Sequence, residues 1–221
     1  YPVTTIVAPT GYGKTTAAQY LQRRIAAEAP DARVFRQFLS GGGRQEFWAG
    51  LCRALHTAPQ LSAQLLALGY PDSPHTRQQL LELVQDALPA QSPVWFILDD
   101  VHLLQGGEAA ELVSFLAERL PLQVHLLLLS RNQIFSEAQK LRLGSRLLEL
   151  SAADLRLTQE ELAQYAGLCG LPLPERESQA LLSVSEGWIA MVYLIFRAYA
   201  QTGTWRFDTK GMDTLSAHHR W

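Results

Sequence analysis

Short apolar runs alternate with segments of helical periodicity through the first two thirds of the chain. The runs predict five strands, at 3–8, 33–39, 93–98, 123–130 and 147–150. Apolar residues three and four positions apart predict helices at 14–28, 47–55, 61–68, 76–88 and 108–120. Strands that are apolar throughout are typical of parallel sheets buried on both faces. The pattern therefore predicts an α/β fold with a parallel sheet between helices.

The pattern changes after about residue 151, because helical segments then follow one another without strands. They lie at 158–168, 175–184 and 188–199. We therefore predict an α/β domain at 1–151 and a small all-α domain at 152–202. Residues 203–221 are interpreted as a linker or the start of a further domain. Both ends are expected to be cuts through a longer polypeptide.

A glycine-rich loop between the first strand and the first helix carries the strongest chemical signal. Its sequence is Ala8-Pro9-Thr10-Gly11-Tyr12-Gly13-Lys14-Thr15-Thr16. Backbone N–H groups of such a loop can surround a phosphate, the helix directs its positive end at the same point, and lysine adds a charge. We therefore predict nucleotide binding by residues 9–16, with the Thr15 hydroxyl on Mg²⁺. The Walker A pattern has glycine at Ala8, and the alternative is a glycine-rich turn with a chance lysine.

Two acids follow the apolar run that ends at Leu98, as expected for a Walker B strand. Asp99 is predicted to hold Mg²⁺ and Asp100 to act on the attacking water, although the two roles could be exchanged. The alternative for Asp100 is a cap at the end of the strand.

An arginine occupies the corresponding place after the next apolar strand. Ser130 ends that strand and Arg131 follows it, so Arg131 can reach a γ-phosphate if the two strands are neighbours. An ordinary surface arginine is the alternative. His102 could act in catalysis, but packing or hydrogen bonding near the acids is the preferred interpretation.

Composition excludes several other classes of protein. A formal net charge of -2 and a pI near 6.3 argue against a positively charged surface that binds nucleic acid. Any DNA binding is therefore expected outside this chain. Cys52 and Cys169 indicate reduced, packing cysteines in a cytoplasmic protein, and a metal site built on them is not expected. No apolar run is long enough to span a bilayer, and no membrane partner is predicted.

Five pieces of the sequence together resemble the signal-transduction ATPases with numerous domains (STAND), in the branch of MalT-like and large ATP-binding LuxR-family regulators. They are the loop at 8–16, Leu98-Asp99-Asp100-Val101-His102, Leu129-Ser130-Arg131, the 155–162 segment and Glu186-Gly187-Trp188-Ile189. The resemblance extends to about residue 200. Many relatives carry proline near the position of Ile189.

The resemblance implies several properties that the residues alone do not. It implies a strand order of 5-1-4-3-2, with the strand before Arg131 between the loop strand and the acid strand, and with Arg131 facing the γ-phosphate. Alanine at position 8 is usual in this family. Residues 154–200 resemble its helical domain, which packs beside the nucleotide. The implied ligands are ATP or ADP with Mg²⁺.

The leading functional hypothesis is the ATP-binding, slowly ATP-hydrolysing switch module of a multidomain transcription regulator. The expected partners are an inducer molecule or protein and, in the ATP-bound form, further copies of the chain. DNA would be bound only through a domain outside it. The alternatives are a catalytically silent nucleotide-binding scaffold and a small-molecule kinase, which would need an acceptor pocket and a basic lid.

Overall fold

The chain forms a five-stranded sheet with helices packed against it, followed by three further helices. The computed structural model describes residues 1–87, 92–104, 106–205 and 207. The strands are β1 (Val3–Val7), β2 (Arg33–Phe38), β3 (Val94–Asp99), β4 (Val124–Ser130) and β5 (Leu147–Ser151). The helices are α1 (Lys14–Glu28), α2 (Arg44–Ala54), α3 (Pro59–Leu68), α4 (Pro74–Ala87), α5 (Glu108–Arg119), α6 (Glu137–Leu143), α7 (Gln159–Leu168), α8 (Glu175–Ser185) and α9 (Ile189–Thr202).

The strand order is β2-β3-β4-β1-β5, which is the predicted order read from the other edge. Strand β4 pairs in parallel with both β1 and β3, and β2 pairs in parallel with β3. The register places Val7 opposite Ser130, and Phe38 opposite Asp99. The prediction of a parallel α/β fold is therefore confirmed, including the position of β4 between the loop strand and the acid strand.

Continuous burial explains why β3 and β4 read as uninterrupted apolar runs. Phe96, Ile97 and Leu98 are all buried although their side chains alternate between the two faces of the sheet. One face forms the main core with apolar residues of α2, α3, α4 and α5. Because β4 pairs in parallel with both β1 and β3, the carboxyl ends of these three strands share one edge of the sheet.

The chain divides into two compact units. The first contains Tyr1–Val7 and Thr15–Leu150, and the second contains Ala8–Lys14 together with the residues from Ser151 onward. In the second unit, α7, α8 and α9 enclose a small core whose members include Leu162, Leu181 and Val192. Thr158 begins α7 with a reciprocal capping box to Glu161, which explains why this helix starts where it does.

The structure corrects two details of the sequence interpretation. Helix α6 was not predicted, although Ser136 and Gln139 form a capping box at its start. Cys52 is buried as expected. Cys169 is exposed, because it lies just after the last residue of α7 and is not on the apolar face of that helix. Leu88 and nearly all of the predicted 203–221 segment lie outside the described residues. No helix in the described ranges is both long and apolar enough to cross a membrane.

Candidate nucleotide-binding site

The loop from Ala8 to Lys14 turns sharply at its two glycines. Gly11 has φ 84° and Gly13 has φ 78°, a region of backbone conformation that side chains with a Cβ rarely adopt. Among the described non-glycine residues, positive φ occurs only at Asp100 and Glu186. Ala8 therefore has an ordinary conformation, and this loop does not require the glycine of the standard pattern there.

Lys14 is enclosed by its own loop. Its Nζ donates hydrogen bonds to the carbonyl oxygens of Ala8 at 2.7 Å and Pro9 at 3.0 Å, and the residue is buried. A buried ammonium group needs such acceptors, because an unsolvated charge is costly. The same reach would allow the amine to exchange carbonyl oxygens for phosphate oxygens.

Within the second unit, the loop contacts the turn that begins α9. The Ala190 N–H donates to the Gly11 carbonyl at 3.2 Å, and the rings of Tyr12 and Trp188 stack with centroids 6.2 Å apart. A Cβ on Gly11 would lie 2.7 Å from the Ala190 Cβ and 2.8 Å from Trp188 Nε1. The turn from Trp188 to Ala190 thus packs directly on the glycine loop.

In the first unit, the two predicted magnesium ligands lie side by side. The Thr15 hydroxyl donates to Asp99 Oδ2 at 3.0 Å, and the Asp100 N–H donates to Asp99 Oδ1 at 3.1 Å. Asp99 ends β3 and is buried, whereas Thr15 lies in the first turn of α1 and is exposed. A hydroxyl and a carboxylate are the oxygen ligands that Mg²⁺ prefers, so the donor set fits this ion.

Sequence reasoning missed one member of this cluster, Arg36 of β2. Its Nη2 donates to Asp99 Oδ2 at 3.0 Å, and the ion pair is largely buried, with side chains 12% and 2% exposed. The Arg36 guanidinium also lies 4.3 Å from the centre of the Phe38 ring. A charged residue inside a predicted strand was the available signal, because arginine is rarely buried without a partner.

Asp100 has a strained backbone at the point where the sheet ends. Its φ is 62°, and its carbonyl accepts from the Leu103 N–H at 2.9 Å, which starts the 3₁₀ turn Val101–Leu104. Its side chain is 39% exposed and lies 3.7 Å from Nδ1 of His102, measured from Oδ1. A strained, accessible acid beside the hydrogen-bonded Thr15 and Asp99 side chains is consistent with a role in chemistry.

Arg131 follows β4 on the same edge. Ser130 holds this exit by donating to the Asn132 carbonyl at 2.6 Å and accepting from the Asn132 N–H at 3.1 Å. The Arg131 side chain is exposed. Its position one residue beyond β4 is as predicted, and its contact with a γ-phosphate stays a prediction.

The other predicted nucleotide-binding residues of the loop region remain accessible. Gly11, Tyr12 and Gly13 are half-buried. The exposed members are Pro9, Thr10 and Thr16. Accessible backbone and hydroxyl groups are compatible with ligand binding, but this geometry does not test it.

Comparison with known proteins agrees with this arrangement. The sequence profile of the AAA domain family matches residues 2–131, more than half of the chain. The HTH-type transcriptional regulator MalT of Serratia proteamaculans is 27% identical over 225 residues, covering 99% of this chain and 24% of that protein. The serine/threonine-protein kinase PknK of Mycobacterium tuberculosis is 26% identical over 195 residues, covering 86% and 17%. The chain thus spans about a quarter or less of these relatives.

A solved structure supports the fold. The Walker-type ATPase of Pyrococcus abyssi matches with a TM-score of 0.56 at 14% identity, covering 93% of this chain and 64% of that chain. This likeness concerns the fold alone, whereas the profile match includes the loop, Asp99 and Asp100, and ends at Arg131. The chain belongs to the AAA domain family, as a P-loop module related to MalT-type regulators.

Proposed function

We propose that this chain is an ATP-binding and ATP-hydrolysing switch module of a larger regulator. The observation that carries the proposal is the hydrogen bond between Thr15 and Asp99, next in sequence to a loop with two glycines at positive φ and a buried lysine. The P-loop fold implies nucleotide binding. The transcriptional regulator MalT, as a relative, supports a regulatory role. The proposal also includes DNA binding outside this chain and an inducer as partner.

Each part of the site has a proposed task in binding. Loop N–H groups at residues 9–16 bind the phosphates, and Lys14 moves from the Ala8 and Pro9 carbonyls to phosphate oxygens. Thr15 and Asp99 hold Mg²⁺, which would neutralise charge on the phosphates when it is bound.

Hydrolysis would rely on the accessible residues of the sheet edge. Asp100 accepts a hydrogen bond from the attacking water and orients it, while Arg131 stabilises charge on the γ-phosphate. Both side chains lie directly after strands, which restricts the positions they can reach. Turnover is expected to be slow, as in switch proteins that await a signal.

The switch itself is proposed to involve the packing of the loop on the α9 turn. The Gly11 carbonyl accepts a hydrogen bond from the Ala190 N–H, and Gly11 lies against the Trp188 ring. If the loop rearranges around a third phosphate, these contacts must change. ADP would preserve one arrangement and ATP would favour another, which allows self-association.

The decisive experiment measures binding and turnover separately. Calorimetry with Mg²⁺·ADP, Mg²⁺·ATP and Mg²⁺·GTP is compared for wild type and Lys14→Ala, and phosphate release is followed for wild type and Asp100→Asn. We expect Lys14→Ala to abolish detectable binding and Asp100→Asn to bind normally but lose turnover by about 10²-fold or more.

Two other outcomes would change the assignment. Absence of heat with every nucleotide for folded wild type contradicts nucleotide binding itself. Binding by wild type without turnover, or equal turnover by Asp100→Asn, instead favours the silent nucleotide-binding scaffold or removes Asp100 from the reaction.

A further inference from the structure

We propose that Arg36 is a built-in competitor of magnesium at Asp99, so that it sets how much Mg²⁺ the nucleotide site requires. This inference rests on the proposed function, because it concerns the metal that accompanies the nucleotide. It assigns a role to a residue on β2, which is separated by two strands, β3 and β4, from the strand that leads into the loop.

The first argument is that Oδ2 of Asp99 already accepts two hydrogen bonds, one of them from a guanidinium. Oδ2 accepts from both Thr15 Oγ1 and Arg36 Nη2, each at 3.0 Å, and Oδ1 accepts from the Asp100 N–H at 3.1 Å. A metal ion that is coordinated by Oδ2, directly or through water, would compete for an oxygen that already accepts a hydrogen bond from the Arg36 guanidinium. Arg36 must leave this oxygen or remain as a neighbouring positive charge.

The second argument concerns charge. Arg36 and Asp99 form a neutral pair in a poorly solvated place. Arginine does not lose its proton at accessible pH, so it cannot relieve repulsion by becoming neutral. Repulsion between like charges is weakly screened at such sites. The presence of Arg36 therefore weakens metal binding at Asp99, and its movement away would be coupled to metal arrival.

The third argument is that the guanidinium is placed to move. Only one nitrogen, Nη2, bonds to the carboxylate, and Nε is buried without a hydrogen-bond partner in the described part of the chain. A two-pronged arginine–carboxylate pair would be held more firmly. The Phe38 ring lies 4.3 Å from the guanidinium and is 61% exposed, so a guanidinium that leaves Asp99 can keep this ring contact while it moves towards solvent.

The test compares Arg36→Gln with Arg36→Lys and with the control Arg33→Gln on the same strand. Each protein is saturated with ADP in EDTA, excess Mg²⁺ is titrated, and the half-saturating free Mg²⁺ concentration is read from the thermal melting temperature and from calorimetry. We expect Arg36→Gln to lower this concentration about tenfold, because one nearby positive charge is removed. Arg36→Lys keeps the charge and should change it less, and Arg33→Gln should match wild type.

A purely structural role for Arg36 predicts a different result. Arg36→Gln would then lower the melting temperature equally with and without Mg²⁺, and an unchanged or higher Mg²⁺ requirement overturns the proposal. If wild type binds ADP in no condition, the proposed function itself is wrong. This outcome differs from failure of the Arg36 proposal, because no nucleotide then changes the melting temperature or gives heat.

A second measurement follows Arg36 in the wild-type protein and uses a variant only for assignment. Side-chain ¹⁵N NMR of arginine in wild type, with Arg36→Lys used to assign the signal, follows the Arg36 Nε resonance. The proposal expects this resonance to shift when Mg²⁺ is added to the ADP complex. If it stays in place while Mg²⁺ saturates the site, Arg36 does not respond to the metal and the proposal is wrong.

Discussion

The acid cluster on the sheet edge and the glycine loop on the α9 turn are held by different forces. In the first, Thr15, Arg36 and Asp99 meet through charge and hydrogen bonds on a single carboxylate. In the second, Gly11 is held by close packing against Trp188 and one backbone hydrogen bond to Ala190.

The difference predicts that the two regions respond to different kinds of change. A buried carboxylate with a movable countercharge can respond to a metal ion, because its partners can be exchanged. A loop packed against an aromatic turn responds to shape, because a change in its backbone requires neighbouring atoms to move. Charge changes should therefore affect the first region, and volume changes the second.

The largest expected effect comes from removing the buried charge at the sheet edge. Asp99→Asn leaves Arg36 without its countercharge, and we expect a loss of about 3 kcal/mol in the free energy of unfolding without ligand. Urea denaturation measures it. Asp100→Asn is the matched control: its side chain is more exposed and asparagine tolerates positive φ, so it should change stability by less than about 0.5 kcal/mol. Equal losses in both variants would mean that the ion pair does not stabilise this edge.

The next effect distinguishes the two loop glycines. Gly11→Ala and Gly13→Ala should each lower the free energy of unfolding by about 1–2 kcal/mol, because alanine is strained at positive φ. Only Gly11→Ala also collides with Trp188 and Ala190, whereas a Cβ at Gly13 would lie 3.6 Å from its nearest neighbour, Ile189.

We therefore expect Gly11→Ala to be the more destabilising by at least about 1 kcal/mol. Urea denaturation of the two variants gives the difference. Adding Trp188→Ala to Gly11→Ala should recover part of it in a double-mutant cycle. No coupling between the two changes would contradict the packing of the loop on this turn.

A smaller effect is expected for the aromatic turn itself. Trp188→Ala removes the ring that stacks on Tyr12, and because Trp188 is half-buried the loss should be about 2 kcal/mol. This loss should be the same at about 0.1 M and about 1 M salt, over which the Debye length falls from about 10 Å to about 3 Å. A loss that shrinks with salt would show that charge, and not packing, dominates this contact too.

The last effect, which is absent at neutral pH and appears only at alkaline pH, compares the two cysteines, one in each unit. Burial raises the pKa of the Cys52 thiol from 9.0 to about 11. The unfolded chain loses this proton first, so the contribution to stability is complete below pH 9 and is lost as the pH rises to about 11.

Chemical denaturation across that range should show a steeper fall in stability in Cys169→Ala than in Cys52→Ala, because burial also raises the pKa of Tyr70 and gives both variants some slope. In the native protein, a thiol reagent should modify exposed Cys169 rapidly and Cys52 only after unfolding. Rapid modification of both thiols would contradict the burial of Cys52.

Much of this protein follows from local sequence. Apolar runs such as 94–98 and 124–129 define strands whatever surrounds them, because burial on both faces needs uninterrupted apolar residues. The glycines and lysine of the loop specify its turn, since only glycine adopts these φ angles at low cost. The strand order came from the family resemblance, and the structure confirms it.

Only the tertiary structure decided which distant residues share one atom. The sequence around Arg36 gives no sign of Asp99, which is 63 positions away. The two side chains meet only because β2 and β3 pair in parallel and in this register. The contact of Gly11 with Trp188 likewise depends on chain segments far apart in sequence. The sequence by itself determined the elements and the chemistry they carry, because these depend on neighbouring residues. The folded chain decided the partners of each charge, because strand pairing and packing set distances that sequence separation does not.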